Sequence, residues 1–352
     1  VLTIAFIGNG KSTNRYHLPF VLTRPESFRV KTIYGRSKPV WPTLPDVEYV
    51  SDIEQVWSDP EVDLVVVTTA FESHASFART ALERGKNVLV EKPFTETAEE
   101  ARELFALADE RGLFLQTYQN RRFDSDLLTV QKVIESGVLG ELLEVEMHYD
   151  YYRPETPMNA HPTEGVTTSY LFGHAVHTVD QVLSVFGSPD RIHYDVRQLL
   201  GPGRMNDYFD IDLYYGVLKV SVKSSFFRLV GRPGFAVYGK KGVFMKHTKD
   251  RQEEHLKVFY MPGNPGFGID LPEHYGTVSY IDDEGGFHEE KVVSEIGDYA
   301  RFYDGVYASI VNGAPKVVTD VQTIELMGIL EEGIKSWVPA TDANARGQEA
   351  GE

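Results

Sequence analysis

The stretch Val1-Leu2-Thr3-Ile4-Ala5-Phe6-Ile7-Gly8-Asn9-Gly10-Lys11-Ser12-Thr13 opens the chain and decides how the rest is read. A short apolar run that stops at a glycine is the pattern of a buried parallel strand. Gly8 and Gly10 then fit a turn that brings backbone N–H groups and a helix N-terminus onto a pyrophosphate. The third glycine of such a loop is replaced by Thr13, which predicts looser packing of the next helix on the strand. The bland alternative is an ordinary strand–helix turn. Gly10-Lys11-Ser12 has the look of a nucleoside-triphosphate loop, but that loop needs a glycine where Ala5 stands, so NTP hydrolysis drops out.

Working outward, strand and helix patterns alternate. A helix is expected near Tyr16 to Thr23, then a strand from Phe28 to Tyr34. Asp63 to Thr69 reads as a buried strand, Ser73 to Arg84 as a helix stopped by Gly85, and Asn87 to Val90 as a further strand. Thr97 reads as an N-cap with Glu100 completing a capping box, for a helix over Ala98 to Glu110 that Gly112 closes. Leu113 to Thr117 is one more strand. Repeated β-α-β units with short connections predict an α/β fold with a doubly wound parallel sheet.

After about residue 124 the period changes. A helix over Asp124 to Glu135 precedes a long strand over Glu141 to Tyr152, and a helix covers Tyr170 to Phe186. Alternating Val/Tyr/Phe segments at Arg191 to Leu199, Tyr208 to Tyr215, Leu218 to Phe227 and Phe235 to Phe244 suit an antiparallel sheet with one solvated face. Arg251 to Phe287, rich in Gly and Pro, reads as loops. Helices return at Asp298 to Val311 and Asp320 to Trp337, and the polar stretch from Thr341 reads as a frayed tail. The expected organisation is a dinucleotide-binding domain over 1–122, a substrate and oligomerisation domain over 123–319, and a tail over 341–352.

Composition narrows the function. Among 352 residues, 35 Lys+Arg face 52 Asp+Glu, for a formal net charge of -17. With no Lys/Arg cluster, such a chain repels phosphate backbones, so nucleic acid is a poor partner. There is no cysteine, which excludes disulfides, thiolate metal sites and a thiol nucleophile. No apolar run approaches the roughly 18 residues of a membrane span. The first residues lack the basic region and cleavage site of a signal peptide, so the cytoplasm is the expected location. No histidine–carboxylate spacing suggests a metal site.

The end of the second strand bears on the cofactor. Sites for NAD place a carboxylate there to hold the ribose 2′-OH. Here Tyr34 is followed by Gly35-Arg36-Ser37-Lys38. Arg36 can stack on adenine and pair with a 2′-phosphate, Ser37 can donate a hydrogen bond, and Lys38 adds charge. The alternative is a solvated basic turn. NADP is the expected cofactor, with NAD as the other possibility.

Three segments together carry a family resemblance: Gly8-x-Gly10; Val65-Val66-Val67-Thr68-Thr69 with His74; and Gly85-Lys86-Asn87-Val88-Leu89-Val90-Glu91-Lys92-Pro93. The chain resembles the Gfo/Idh/MocA oxidoreductases over about residues 1 to 337. Tyr118 to Arg122, Ser136 to Gly140, and His177-x-x-Asp180 before Gly187-Ser188-Pro189 extend the likeness. The resemblance implies an N-terminal Rossmann doubly wound parallel sheet. It also implies a C-terminal α+β domain with a large open, mostly antiparallel sheet, whose exposed face commonly forms a homo-oligomer interface. The last helix, near 320–337, is expected to pack back on the Rossmann domain.

The resemblance also implies a site. The cofactor would be held by Gly8, Asn9, Gly10, Lys11, Ser12, Thr13, Arg36, Ser37, Thr68, Thr69, His74, Glu91, Lys92 and Asn120. Lys92 and His177 would be the catalytic pair. A lysine can stabilise alkoxide character during hydride transfer, and an imidazole suits the proton transfer. Substrate would meet Lys92, Arg121, Tyr152, His174, His177 and Asp180. Asn120, Arg121, Tyr152, Arg153 and His161 are equally readable as structural hydrogen-bond partners.

One departure stands out. Polyol dehydrogenases of the family usually carry an aspartate four residues before this histidine, where the chain has Gly173; either His174, Asp180 or a residue elsewhere compensates, or the proton takes another path. The segment Phe172 to Gln181 resembles a bacterial subgroup that includes NADP-dependent scyllo-inositol dehydrogenases. The expected activity is therefore an NADP-preferring oxidoreductase acting on a CH–OH carbon of a small-molecule polyol or sugar, with inositol as lead. The alternatives are an NAD(P)-dependent glycosidase on the same scaffold and a non-catalytic dinucleotide sensor.

Overall fold

The computed structural model describes residues 1–155, 169–201 and 204–337. His161 and the expected tail lie outside them. The described residues group into two compact units. The first comprises Val1–Asp124, Arg251–Ile269 and Gly297–Met327. The second comprises the described residues of Ser125–Asp250, Asp270–Ile296 and the chain from Gly328 to 337.

The first unit is a six-stranded parallel sheet. Its strands are β1 (Leu2–Ile7), β2 (Phe28–Tyr34), β3 (Glu48–Val50), β4 (Leu64–Val67), β5 (Asn87–Val90) and β6 (Leu115–Thr117), in the order β3-β2-β1-β4-β5-β6. β1 and β4 are buried along their whole length, because a doubly wound sheet is covered on both faces. Ile4, Phe6, Val66 and Leu89 pack with Tyr118 and with Phe302, Tyr303 and Val306 of the helix Ala300–Asn312. The strand order reverses between β1 and β4, and the carboxyl ends at that reversal are where such sheets gather ligands.

Local chemistry explains the elements. Thr97 caps the helix Ala98–Arg111 by accepting from the Glu100 N–H at 3.1 Å, and Gly112 closes it in the left-handed conformation. The Glu100 carboxylate reaches back to the Glu96 N–H at 3.2 Å, one residue before the amide a capping box uses.

Three expectations need correction. The helix after β1 starts earlier than Tyr16, as a π-helical turn over Ser12–His17 that runs into Leu18–Val21. The segment Phe235 to Phe244 is two strands around a tight turn at Lys240-Lys241. Arg251 to Phe287 is not only loops: it holds the helix Arg251–Lys257 and a strand of the second sheet over Gly276–Ile281.

The second unit is built on an eight-stranded sheet. Its strands are β7 (Leu142–His148), β8 (Arg191–Arg197), β9 (Tyr208–Tyr215), β10 (Leu218–Ser225), β11 (Phe235–Gly239), β12 (Gly242–Lys246), β13 (Gly276–Ile281) and β14 (Phe287–Val292). The order is β14-β13-β12-β11-β7-β10-β9-β8. β7 and β10 pair in parallel and every other neighbouring pair is antiparallel. The register aligns Val145, Val220, Leu213, Val237 and Phe244 on one buried face. The other face carries cross-strand ion pairs, including Lys219–Glu144 at 2.6 Å and Lys223–Asp210 at 3.3 Å. The helix Asp320–Ser336 groups with the first unit up to Met327 and with the second from Gly328.

Candidate active site

The loop expected to hold a pyrophosphate follows β1. Gly8 has φ 122°, which L-residues rarely adopt, and a Cβ there would lie 2.7 Å from Thr68 Oγ1. No atom lies within 4 Å of a Cβ placed on Gly10, so the loop surface there is open. Asn9 is steadied by Asn14, whose Nδ2 donates to Asn9 Oδ1 at 2.8 Å. Lys11 is exposed.

Thr13 overturns the expectation of loose packing. It is 0% exposed, donates from Oγ1 to the Gly8 carbonyl at 2.7 Å, and lies 2.7 Å from Thr68 Oγ1. A π turn is wider than an α turn. The winding over Ser12–His17 thus makes room for a side chain where other loops of this kind use glycine.

A cleft of about 280 Å³ runs along this edge, lined by Gly8, Asn9, Gly10, Tyr34 to Lys38, Val40 and Thr68 to Ala70. Its lining includes Arg36 and Lys38 and no carboxylate. The open surface at Gly10, the close Gly8–Thr68 approach and the cationic far end fit a dinucleotide with its pyrophosphate at the loop.

Glu91 organises the next strand end. It is 8% exposed. Its Oε1 accepts from Ser12 Oγ and lies 2.9 Å from His17 Nε2, and its Oε2 accepts from the Lys92 amide at 2.9 Å. His17 Nδ1 lies 2.6 Å from the Tyr303 hydroxyl, and both residues are fully buried. The chain of bonds closes if Tyr303 donates to Nδ1 and Nε2–H donates to Glu91. Burial pushes the Glu91 carboxyl up, but His17, the Lys92 charge and the Ser12 hydroxyl outweigh it and bring it down to about 2. The Ser12 hydroxyl proton is thereby committed inward.

Lys92 follows, across a cis peptide bond to Pro93. Burial pushes its ammonium below the ordinary lysine value; Glu91 and Glu253 oppose that, and Arg121 and Lys11 reinforce it. His74 is 2% exposed and sits under this turn, with Nδ1 2.8 Å from the Pro93 carbonyl and Nε2 3.1 Å from the Thr69 carbonyl. Burial keeps it below the usual histidine pKa despite those carbonyls. As a neutral ring it has one N–H and donates to one of the two carbonyls.

Asn120 is buried at the start of a short 3-10 turn over Asn120–Phe123. Arg121 pairs with Asp124 and Glu253, each at 3.3 Å. Glu253 in turn accepts from the Tyr16 hydroxyl at 3.1 Å. Neither Glu253 nor His17 was among the residues expected from sequence. Their partners are remote in the chain, and no local pattern marks them.

In the second unit, a π-helical turn over Leu171–Ala175 leads into the helix Val176–Phe186. His174 lies against the rings of Tyr170 and Tyr151, with centroids 4.2 and 5.5 Å away. His177 is half-buried one turn on, and Asp180 is 1% exposed. A Cβ on Gly173 would meet nothing within 4 Å, so the missing carboxylate leaves space. Tyr152 is 54% exposed and bridges to Phe227. Arg153 stacks over Tyr151, with its guanidinium carbon 4.1 Å from the ring centre.

Comparison with known proteins agrees with this layout. Residues 2–119 match the family model for the NAD-binding Rossmann fold of the oxidoreductase family, and 131–339 match its C-terminal alpha/beta domain. The uncharacterized oxidoreductase YhhX of Escherichia coli is 47% identical over 346 residues, covering 97% of this chain and 98% of that protein. A crystal structure of yhhX superposes with a TM-score of 0.91, covering 97% and 98% of the two chains at 46% identity. The scyllo-inositol 2-dehydrogenase (NADP(+)) IolW of Bacillus subtilis is 32% identical over 336 residues, covering 95% of this chain and 93% of that protein. With both halves matched and relatives similar along nearly the whole chain, this protein belongs to the Gfo/Idh/MocA oxidoreductase family and carries a nicotinamide-cofactor fold.

Proposed function

We propose that the chain is an NADP-preferring dehydrogenase or reductase that acts on a CH–OH carbon of a polyol or sugar, with a scyllo-inositol-like ring as lead. The observation that carries the cofactor reading is the cleft beyond β2, lined by Arg36 and Lys38 with no carboxylate. A ribose 2′-phosphate is attracted to such a surface, and a bare 2′-OH finds no acid to bind. The NADP-dependent relative IolW supports both the cofactor and the substrate class.

When bound, the nicotinamide supplies the hydride acceptor or donor. In the oxidative direction, Lys92 donates a hydrogen bond to the substrate oxygen and stabilises its alkoxide character. His177 takes the hydroxyl proton, and Asp180 and His174 set the environment of that helix face. Glu91 fixes the Lys92 backbone to the phosphate loop. We further infer that copies of the chain associate through the ion-paired face of the eight-stranded sheet.

The test is steady-state turnover of a polyol and sugar panel with NADP and NAD side by side. NADP is expected to win in kcat/KM by roughly tenfold or more, and Arg36→Ala to narrow that gap, since a charge-assisted bond to phosphate is at stake. A clear NAD preference sinks the cofactor reading. Lys92→Ala is expected to keep NADPH binding and lose turnover.

A further inference from the structure

The helix Arg251–Lys257 ends in an uncommon way. Phe259 has φ 58°, the one non-glycine residue with positive φ among the described residues. Its N–H donates to the Leu256 carbonyl at 3.2 Å, and the Tyr260 N–H returns to the His255 carbonyl at 2.9 Å. This is a left-handed helix closure, a position that glycine fills without strain and a bulky aromatic does not. Burial gives no compensation, because Phe259 is 50% exposed. A strained backbone that holds a half-exposed ring asks what the ring is for.

The ring meets one residue from each of two segments that adjoin the lining of the cleft. The Arg15 guanidinium carbon stands 4.8 Å from its centre, and the Trp41 ring lies 5.7 Å away. Arg15 is on the π turn that leaves the phosphate loop. Trp41 directly follows Val40, which lines the cleft beyond Arg36 and Lys38. The segment carrying Phe259 is anchored independently of the ring. Glu253 holds Tyr16 and Arg121, and Gln252 donates to the Phe123 carbonyl at 3.3 Å and accepts from the Tyr299 N–H at 3.1 Å.

We propose that Phe259, with Trp41 and Arg15, is a clamp at the adenosine end of the cleft, which closes an aromatic surface over the nucleotide and slows its release. The inference rests on the dinucleotide reading of the cleft. It makes Phe259 a positioning residue for the cofactor, since nothing places it at the reacting carbon.

Phe259→Gly separates the two roles of the residue, because glycine relieves the backbone and removes the ring. NADPH release is followed by stopped-flow fluorescence on the full chain, alongside thermal unfolding without nucleotide. The expected result is an unchanged or higher Tm together with release roughly tenfold faster, the scale of one lost base–aromatic stack. Trp41→Ala carries the same expectation for release, and Phe259→Tyr is expected to stay near the parent rate. If the parent chain binds NADPH and both Phe259→Gly and Trp41→Ala release it within twofold of the parent rate, the clamp is wrong and the cofactor reading stands. If the parent chain binds neither NADPH nor NADH, the cofactor reading fails and takes the clamp with it.

Discussion

A carboxylate held by a serine hydroxyl, an imidazole and a backbone amide, and depressed to about 2, stays ionised through neutral and mildly acidic pH. Its linkage to stability has a definite sign. Because the folded value lies below the ordinary 4.5, the contribution is fully present above pH 4.5 and disappears as pH falls toward 2. The shift corresponds to roughly 3 kcal/mol. Glu91→Gln should therefore lower the urea-unfolding free energy by about that amount at pH 7. The gap to the parent protein should shrink as pH falls from 5 toward 3. A gap of constant size across that range would show that Glu91 does not act as a charged strut.

The sequence discloses some residues at this scale and hides others. Lys92 and Gly8 sit at strand ends in patterns with a mechanism, so they are readable without coordinates. His17 is not: its partners Glu91 and Tyr303 lie 74 and 286 positions away. Ser12 was readable as a loop residue but not as a donor to Glu91, because only the folded sheet brings the two strand ends together.

At the scale of elements, the turn after β1 makes the sharpest test. The π winding over Ser12–His17 is matched to Thr13, whose hydroxyl joins the Gly8 carbonyl and Thr68. Thr13→Gly, which restores the glycine of related loops, should therefore destabilise the protein. The loss of a buried hydrogen bond and the added backbone freedom together cost about 1–3 kcal/mol. Chemical denaturation reads this directly, and a neutral or stabilising outcome would mean that the turn does not depend on the threonine. The same scale shows where pattern reading stops. Gly and Pro made the 251–287 stretch look like loops, yet its helix is two turns long and its strand six residues. Elements that short leave too few positions for a period to register. The Gly239–Gly242 turn was lost for a related reason, since apolar residues continue on both sides of it.

For the whole molecule, alternation sorted the second sheet correctly into one buried and one charged face. On the charged face Asp210 has a buried Oδ1 without a hydrogen-bond partner among the described residues, and burial raises its pKa. The Arg191 guanidinium carbon stands over the Tyr214 ring, 3.4 Å from its centre. If copies associate there, light scattering should show an oligomer whose dissociation is promoted by Lys219→Glu combined with Lys223→Glu, which places like charges beside Glu144 and Asp210. A monomer at micromolar concentration would exclude that association. The formal net charge of -17 makes salt a control, since screening should favour association.

The discontinuity of the first unit has a consequence in time as well as in space. Translation delivers β1 through β6 early, but Phe302, Tyr303, Val306 and Val318, which fill the core beside Ile4 and Phe6, emerge only after the entire second sheet has been made. Until then, the nascent nucleotide-binding half exposes the apolar surface that those side chains will cover. Its maturation waits on synthesis of a domain in which it has no part, and the ribosome hands over two nearly finished units at almost the same moment.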